Sequence, residues 1–137
     1  MTHFTDFIAL LALGFCTALG VGALFAPKWA AGVVRLVADP DPDKPGGFSE
    51  FRATYGGLLF MLHFSTLMIL LQADLKLTIK LFALFPVGMA WLGAGLGRTM
   101  SLILDKKDNR SAGLIPIWIP LEILLGLAIF APILQLF

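Results

Sequence analysis

Ser49-Glu50-Phe51-Arg52-Ala53-Thr54-Tyr55-Gly56-Gly57 runs without a break into Leu58-Leu59-Phe60-Met61-Leu62-His63-Phe64-Ser65-Thr66-Leu67-Met68-Ile69-Leu70-Leu71, and after Arg52 no Asp, Glu, Lys or Arg occurs until Asp74. An uninterrupted apolar run of this length matches a hydrocarbon core of about 30 Å at ~1.5 Å of helical rise per residue. The segment therefore predicts a membrane-crossing helix. Two opposite charges, a tyrosine and a glycine pair stand at its mouth.

Three more apolar runs flank this one, and the composition agrees with them. Of the 137 residues, 58% are hydrophobic and 14% charged, with mean hydropathy +0.90, against roughly 45–50% and 25% in soluble domains. The fold class expected is all-α: an integral membrane four-helix bundle forming a single transmembrane domain over 1–137, with helices at about 6–26, 49–71, 78–104 and 114–136. Pro27 stops the first helix, and Trp29 to Ala38 reads as a short interfacial segment between helices 1 and 2. Asp39 to Gly47, with prolines alternating between aspartates, is a solvated connector rather than a calcium loop, because no bidentate Glu follows at the twelfth loop position. Ser49 is the expected N-cap of helix 2, with Glu50 in the first turn against the helix dipole. Pro86 is expected to kink helix 3, and Pro120 and Pro132 to bend helix 4.

Small residues mark the expected helix-packing positions: Gly14, Ala18 and Gly22 in helix 1, Gly56 and Gly57 in helix 2, Gly93 and Gly97 in helix 3. Glycine at such spacing lets a neighbouring backbone come close.

A formal net charge of +1 gives no basic field for nucleic acid. The single Cys16 excludes an intramolecular disulfide framework and a multi-cysteine metal site. His63 has only His3 as a histidine companion, so a packed or water-linked role is expected, and neither a metal site nor a cofactor is assigned. The N-terminus has no Lys or Arg ahead of its apolar run, so the first run is read as a retained helix rather than a secretory signal.

Lys and Arg set the expected orientation, since their excess marks the cytoplasmic side. Lys28, Arg35, Lys44, Arg52, Arg98, Lys106, Lys107 and Arg110 fall on one side and only Lys76 and Lys80 on the other. Both termini are thus predicted non-cytoplasmic.

With this topology Glu50, Arg52, Tyr55, Arg98, Ser101 and Glu122 share one leaflet and form the candidate ligand-binding set. Glu122 lies about eight residues into helix 4, roughly 12 Å from its start, where a bare carboxylate is costly. Trp91, Ala94, Arg98, Ser101 and Asp105 share one side of helix 3, and Trp118, Glu122, Leu125, Gly126 and Ile129 one side of helix 4, which makes Arg98 the natural partner of Glu122. The pair either fixes helix register or lines a site for a lipid headgroup or small polar ligand. Arg52 either joins that site or snorkels to phosphates.

The ordered set Glu50, Arg52, Ala53, Tyr55, Gly56, Gly57, then Gly97-Arg98 with Ser101, then Glu122, resembles a bacterial family of small four-helix inner-membrane proteins catalogued only as a domain of unknown function, itself similar to the DoxX-like membrane proteins. The resemblance covers nearly the whole chain. It implies the helical membrane fold and a bacterial inner membrane, and brings no reaction and no catalytic residues.

Three functions follow as expectations. The first is a binding or accessory protein holding a lipid headgroup or polar ligand with the Arg/Glu/Tyr cluster, membrane lipids being its partners. The second is a membrane enzyme on a lipophilic substrate, with Glu122 as acid or base and Arg98 stabilising negative charge. The third is a structural subunit of a larger membrane complex, or a homo-oligomer, assembled through the glycine faces.

Overall fold

The computed structural model describes residues 3–36, 41, 43, 47–105 and 115–137. Every regular element among them is a helix, and four helices are long and apolar enough to cross a membrane. They are α1 (Phe4–Phe25), α3 (Phe48–Leu71), α4 (Leu77–Leu104) and α5 (Ile115–Phe130), which tightens into a 3-10 helix over Ala131–Leu136. A short helix, α2 (Pro27–Val34), lies between α1 and α3. The charged connector expected beyond Asp105 lies outside the described residues, as does most of the Asp39–Gly47 connector.

Local chemistry explains each boundary. Pro27 opens α2 at its first turn, where the missing N–H costs nothing. The segment expected to reach Ala38 ends as a helix at Val34, because Arg35 takes a left-handed conformation (φ 57°, ψ 34°). Arg35 N–H then donates to Gly32 O (3.4 Å) and Leu36 N–H to Ala31 O (3.0 Å), the double closure of a Schellman cap usually made by glycine. The N-cap expected at Ser49 is corrected to Gly47: its φ of 115° turns the chain, Phe51 N–H donates to Gly47 O at 3.0 Å, and Ser49 lies inside the first turn. Only glycine holds that conformation without strain. Pro86 and Pro120 sit inside continuous helices, whereas the α-helical part of α5 stops at Phe130, just ahead of Pro132.

The chain divides into two compact units, Met1–Ala12 with Met68–Phe137, and Leu13–Leu67. In the first, α4 and α5 pack along one another. Their approach is set by glycines: a Cβ at Gly126 would lie 2.8 Å from Leu92 and 3.0 Å from Gly88 O, one at Gly88 2.9 Å from the Phe130 ring, and one at Gly95 3.0 Å from Ile123. In the second unit, Ala23, Ala30 and Phe51 form a buried cluster with Ala31 and Val34 against it. There a Cβ at Gly20 would meet the Phe60 backbone at 2.5 Å, and one at Gly56 would meet Leu24 at 2.8 Å.

At four of the expected packing positions the described residues make no close approach. Among the described residues nothing lies within 4 Å of a Cβ built at Gly14, Gly93 or Gly97, and Gly57 meets only Arg52 O at 3.7 Å. The stripe Gly93 and Gly97 lies half a turn from Gly88 and Gly95, on a face of α4 that is exposed among the described residues. Gly22 does pack closely, with its Cβ position 2.8 Å from the Trp29 ring.

Candidate functional site

Arg98 and Glu122 meet. Gly95, one turn before Arg98, has its Cβ position 3.7 Å from Glu122 Cβ, so the absence of a side chain there draws α5 against α4 where the charges must pair. Arg98 Nε donates to Glu122 Oε1 at 2.6 Å, at the short end for an ionised pair. Trp118, one turn before Glu122 on the same face, brings its ring to 5.9 Å from the guanidinium carbon, a cation–π contact. Carboxylate and ring thus hold the arginine from two successive turns of one helix.

Burial divides the pair unequally. The Glu122 side chain is 5% exposed and that of Arg98 31%. Moreover, Glu122 Oε2 is buried and has no hydrogen-bond partner among the described residues. An arginine fork can satisfy both oxygens of a carboxylate, but this bond uses Nε alone and does not spend the two Nη groups on Glu122. Leaving a buried acceptor unpaired costs about 1–3 kcal/mol.

Ser101 is drawn elsewhere: its hydroxyl donates to Asp105 Oδ2 at 2.6 Å, one turn on along α4 at an exposed position. It shares the helix side of Arg98 without joining the pair.

Glu50, Arg52 and Tyr55 belong to the other compact unit, at the opening of α3. Arg52–Leu58 there forms a π-helical segment inside the helix, a wide turn frequent at functional sites. Phe51 and Tyr55 stack across it with ring centroids 4.6 Å apart and planes 16° apart. Glu50, Thr54 and Tyr55 line a recess of about 270 Å³ together with Phe48, Phe51 and Leu36. Arg52 is exposed and does not line it.

His63 is fully buried, and its Nδ1–H donates to Leu59 O at 2.7 Å. This is the packed histidine its position in the apolar run suggests.

Comparison with known proteins places the chain in one family, the Domain of unknown function (DUF4345), whose profile matches residues 4–132. The chain belongs to DUF4345. No curated protein and no solved structure matches it.

Two polar features of this DUF4345 member escape the sequence reading. Gln135 Nε2, in the terminal 3-10 turn, donates to Thr5 Oγ1 at 2.8 Å and to Asp6 Oδ1 at 2.7 Å. The bond ties the two chain ends together and satisfies the buried Asp6. The signal was a lone amide in an apolar run, paired with a lone acid in another. The π turn is the second, and its signal was the tandem Gly56-Gly57, two weak helix formers in succession early in an apolar helix.

Proposed function

We propose that this DUF4345 member is a small multi-pass protein of the bacterial inner membrane, distantly DoxX-like, with both termini away from the cytoplasm, and that it binds a polar ligand within one leaflet. Arg98 presents its Nη fork to an oxyanion, and Glu122 and Trp118 hold the guanidinium in place. Glu50, Arg52 and Tyr55 supply a second polar element at the opening of α3.

The observation that carries this reading is the one-point bond from Arg98 Nε to Glu122 Oε1, beside an unpaired buried Oε2. A pair kept only to fix helix register gains most by closing both donors on both oxygens. Among the described residues one oxygen has no partner, and Arg98, the more exposed of the two, is bonded to Glu122 through Nε alone. On their other faces α4 and α5 expose Leu96, Ile103, Leu124 and Leu127, apolar surface suited to lipid, which favours the oxyanion of a lipid headgroup over a ligand arriving from water.

Native mass spectrometry of the protein in detergent, with equal amounts of phosphatidylglycerol and phosphatidylcholine, tests this. The anionic lipid is expected to be retained by wild type, weakened in Arg98→Lys, which keeps charge without the fork, and lost in Arg98→Gln. Competition by inorganic phosphate at millimolar concentration would point to a soluble oxyanion instead. Equal retention by wild type and Arg98→Gln would refute the reading.

A second reading, assembly with another copy or another membrane subunit, is supported by the exposed small-residue face of Gly93, Ala94 and Gly97. Gly97→Leu should then reduce the particle size in detergent. An unchanged size removes this face as the assembly surface.

A further inference from the structure

The recess at the opening of α3 has a chemistry of its own. Among the described residues Glu50 is its only charged lining residue and makes no ion pair. The other described lining residues are aromatic, aliphatic or small: Phe48, Phe51 and Tyr55 with Ala31, Leu36 and Gly47, and Thr54 as the one further polar side chain. Phe51 is 8% exposed and stacks beneath Tyr55, which is 39% exposed. One ring is therefore fixed by burial and holds the other, more exposed ring in place by stacking, and both line the recess.

A carboxylate beside open aromatic faces is the constellation that recognises an organic ammonium, through charge and through the negative face of the ring. The helix dipole opposes a cation here, but it amounts to about half a charge at an N-terminus, and Glu50 contributes a full negative charge within the same turn. The balance is negative. An anion would meet Glu50 directly and gain at most the smaller dipole.

Size restricts the occupant further. A volume of about 270 Å³ falls just below the roughly 300–1,000 Å³ of pockets that enclose drug-sized molecules, so it takes a headgroup rather than acyl chains. The recess also opens where a 24-residue apolar helix begins, beside α2 and its half-exposed Trp29, the depth at which headgroups and tryptophans lie. Arg52, exposed two residues on from Glu50, does not line the recess and is available to a phosphate.

We infer that this recess binds the ammonium group of an amine-bearing phospholipid, with Glu50 as counter-charge and Tyr55 as the aromatic face. This does not depend on what Arg98 holds.

The test uses the full chain in detergent with an equimolar mixture of phosphatidylethanolamine and phosphatidylglycerol, read by native mass spectrometry. Wild type is expected to enrich the ethanolamine lipid about fivefold over bulk, equivalent to about 1 kcal/mol, within the range of one cation–π contact. Glu50→Gln and Tyr55→Leu should bring the ratio back to bulk. Tyr55→Phe keeps the ring and should preserve it, and circular dichroism with a single elution peak establishes that each variant is folded. Arg98→Lys should lower the phosphatidylglycerol bound per protein while leaving the phosphatidylethanolamine bound per protein as in wild type, so the two sites fail separately. Ethanolamine enrichment that survives both Glu50→Gln and Tyr55→Leu, or its absence in wild type, would overturn the inference. So would Glu50-dependent binding of free ethanolamine with no retained lipid, which would make the ligand a soluble amine.

Discussion

Replacing Arg98 by methionine should destabilise the protein far more than replacing both Arg98 and Glu122. The single change removes the donor at 2.6 Å and leaves a carboxylate with a 5% exposed side chain, neither oxygen then having a partner. Breaking a buried pair from one side costs about 3–5 kcal/mol. Arg98 is itself nearly one-third exposed, so its own desolvation is incomplete and the stranded glutamate dominates. We expect about 3 kcal/mol, or more than a hundredfold in the unfolding equilibrium, with up to ~1 kcal/mol more from the lost contact with Trp118. The double variant Arg98→Met/Glu122→Met removes both charges at similar volume and should come within about 1 kcal/mol of wild type, or exceed it. Reversible unfolding of the detergent-solubilised protein by increasing mole fraction of dodecyl sulfate, followed by circular dichroism, gives all four corners of the cycle. A coupling energy near zero would refute the claim that the pair is buried and mutually dependent. The double variant also separates clamp from site, because it should be folded yet retain no anionic lipid.

Other perturbations follow from the packing. Gly126→Ala should cost about 1–3 kcal/mol by overpacking, since its Cβ would press on Leu92 and on the Gly88 carbonyl, whereas Gly97→Ala, facing open space, should be neutral or stabilise by up to ~1 kcal/mol; the same dodecyl sulfate titration compares them. Gln135→Leu should lower the unfolding midpoint by an amount worth about 1–3 kcal/mol, because the buried Asp6 loses its donor, and Asp6→Asn, which keeps an acceptor, should cost less. Arg35→Gly should raise the thermal midpoint, by about 0.4–1 kcal/mol, through relief of the left-handed backbone at the end of α2.

Much of the helical architecture could be read directly, because the cost of an unsatisfied backbone in a membrane leaves few options for an apolar run of twenty residues. The same is true of Arg98 and Glu122. Each is the charge that lies deepest within its apolar run, and the 100° period orients them without reference to anything distant. The glycines illustrate the opposite case. Gly93 and Gly97 have the spacing of a packing motif, yet the close approach in α4 runs through Gly88 and Gly95, seven residues apart and so on one face. Spacing identifies a smooth stripe; which stripe a neighbour uses depends on that neighbour's own relief, here Leu92 against Gly126 and Phe130 against Gly88. Ser49 failed as a cap for a related reason. A hydroxyl at the right place is a local signal, but Gly47 two residues earlier could take a φ of 115°, and the direction of the incoming chain settled the matter. The bond from Gln135 to Asp6 spans the whole sequence, and no local pattern encodes such a distance.

The π turn at Arg52–Leu58 keeps two α-helical parts of α3 in phase. A π turn accommodates one residue more than an α-helix would place between the same two ends, and each residue turns an α-helix by about 100°. Carried by a plain α-helix, that extra residue would swing Glu50 and Phe51 by about that angle around the axis relative to Leu59–Leu71; the wide turn absorbs it. The width of the turn therefore fixes the direction in which the recess faces, independently of the apolar pattern that inserts the helix.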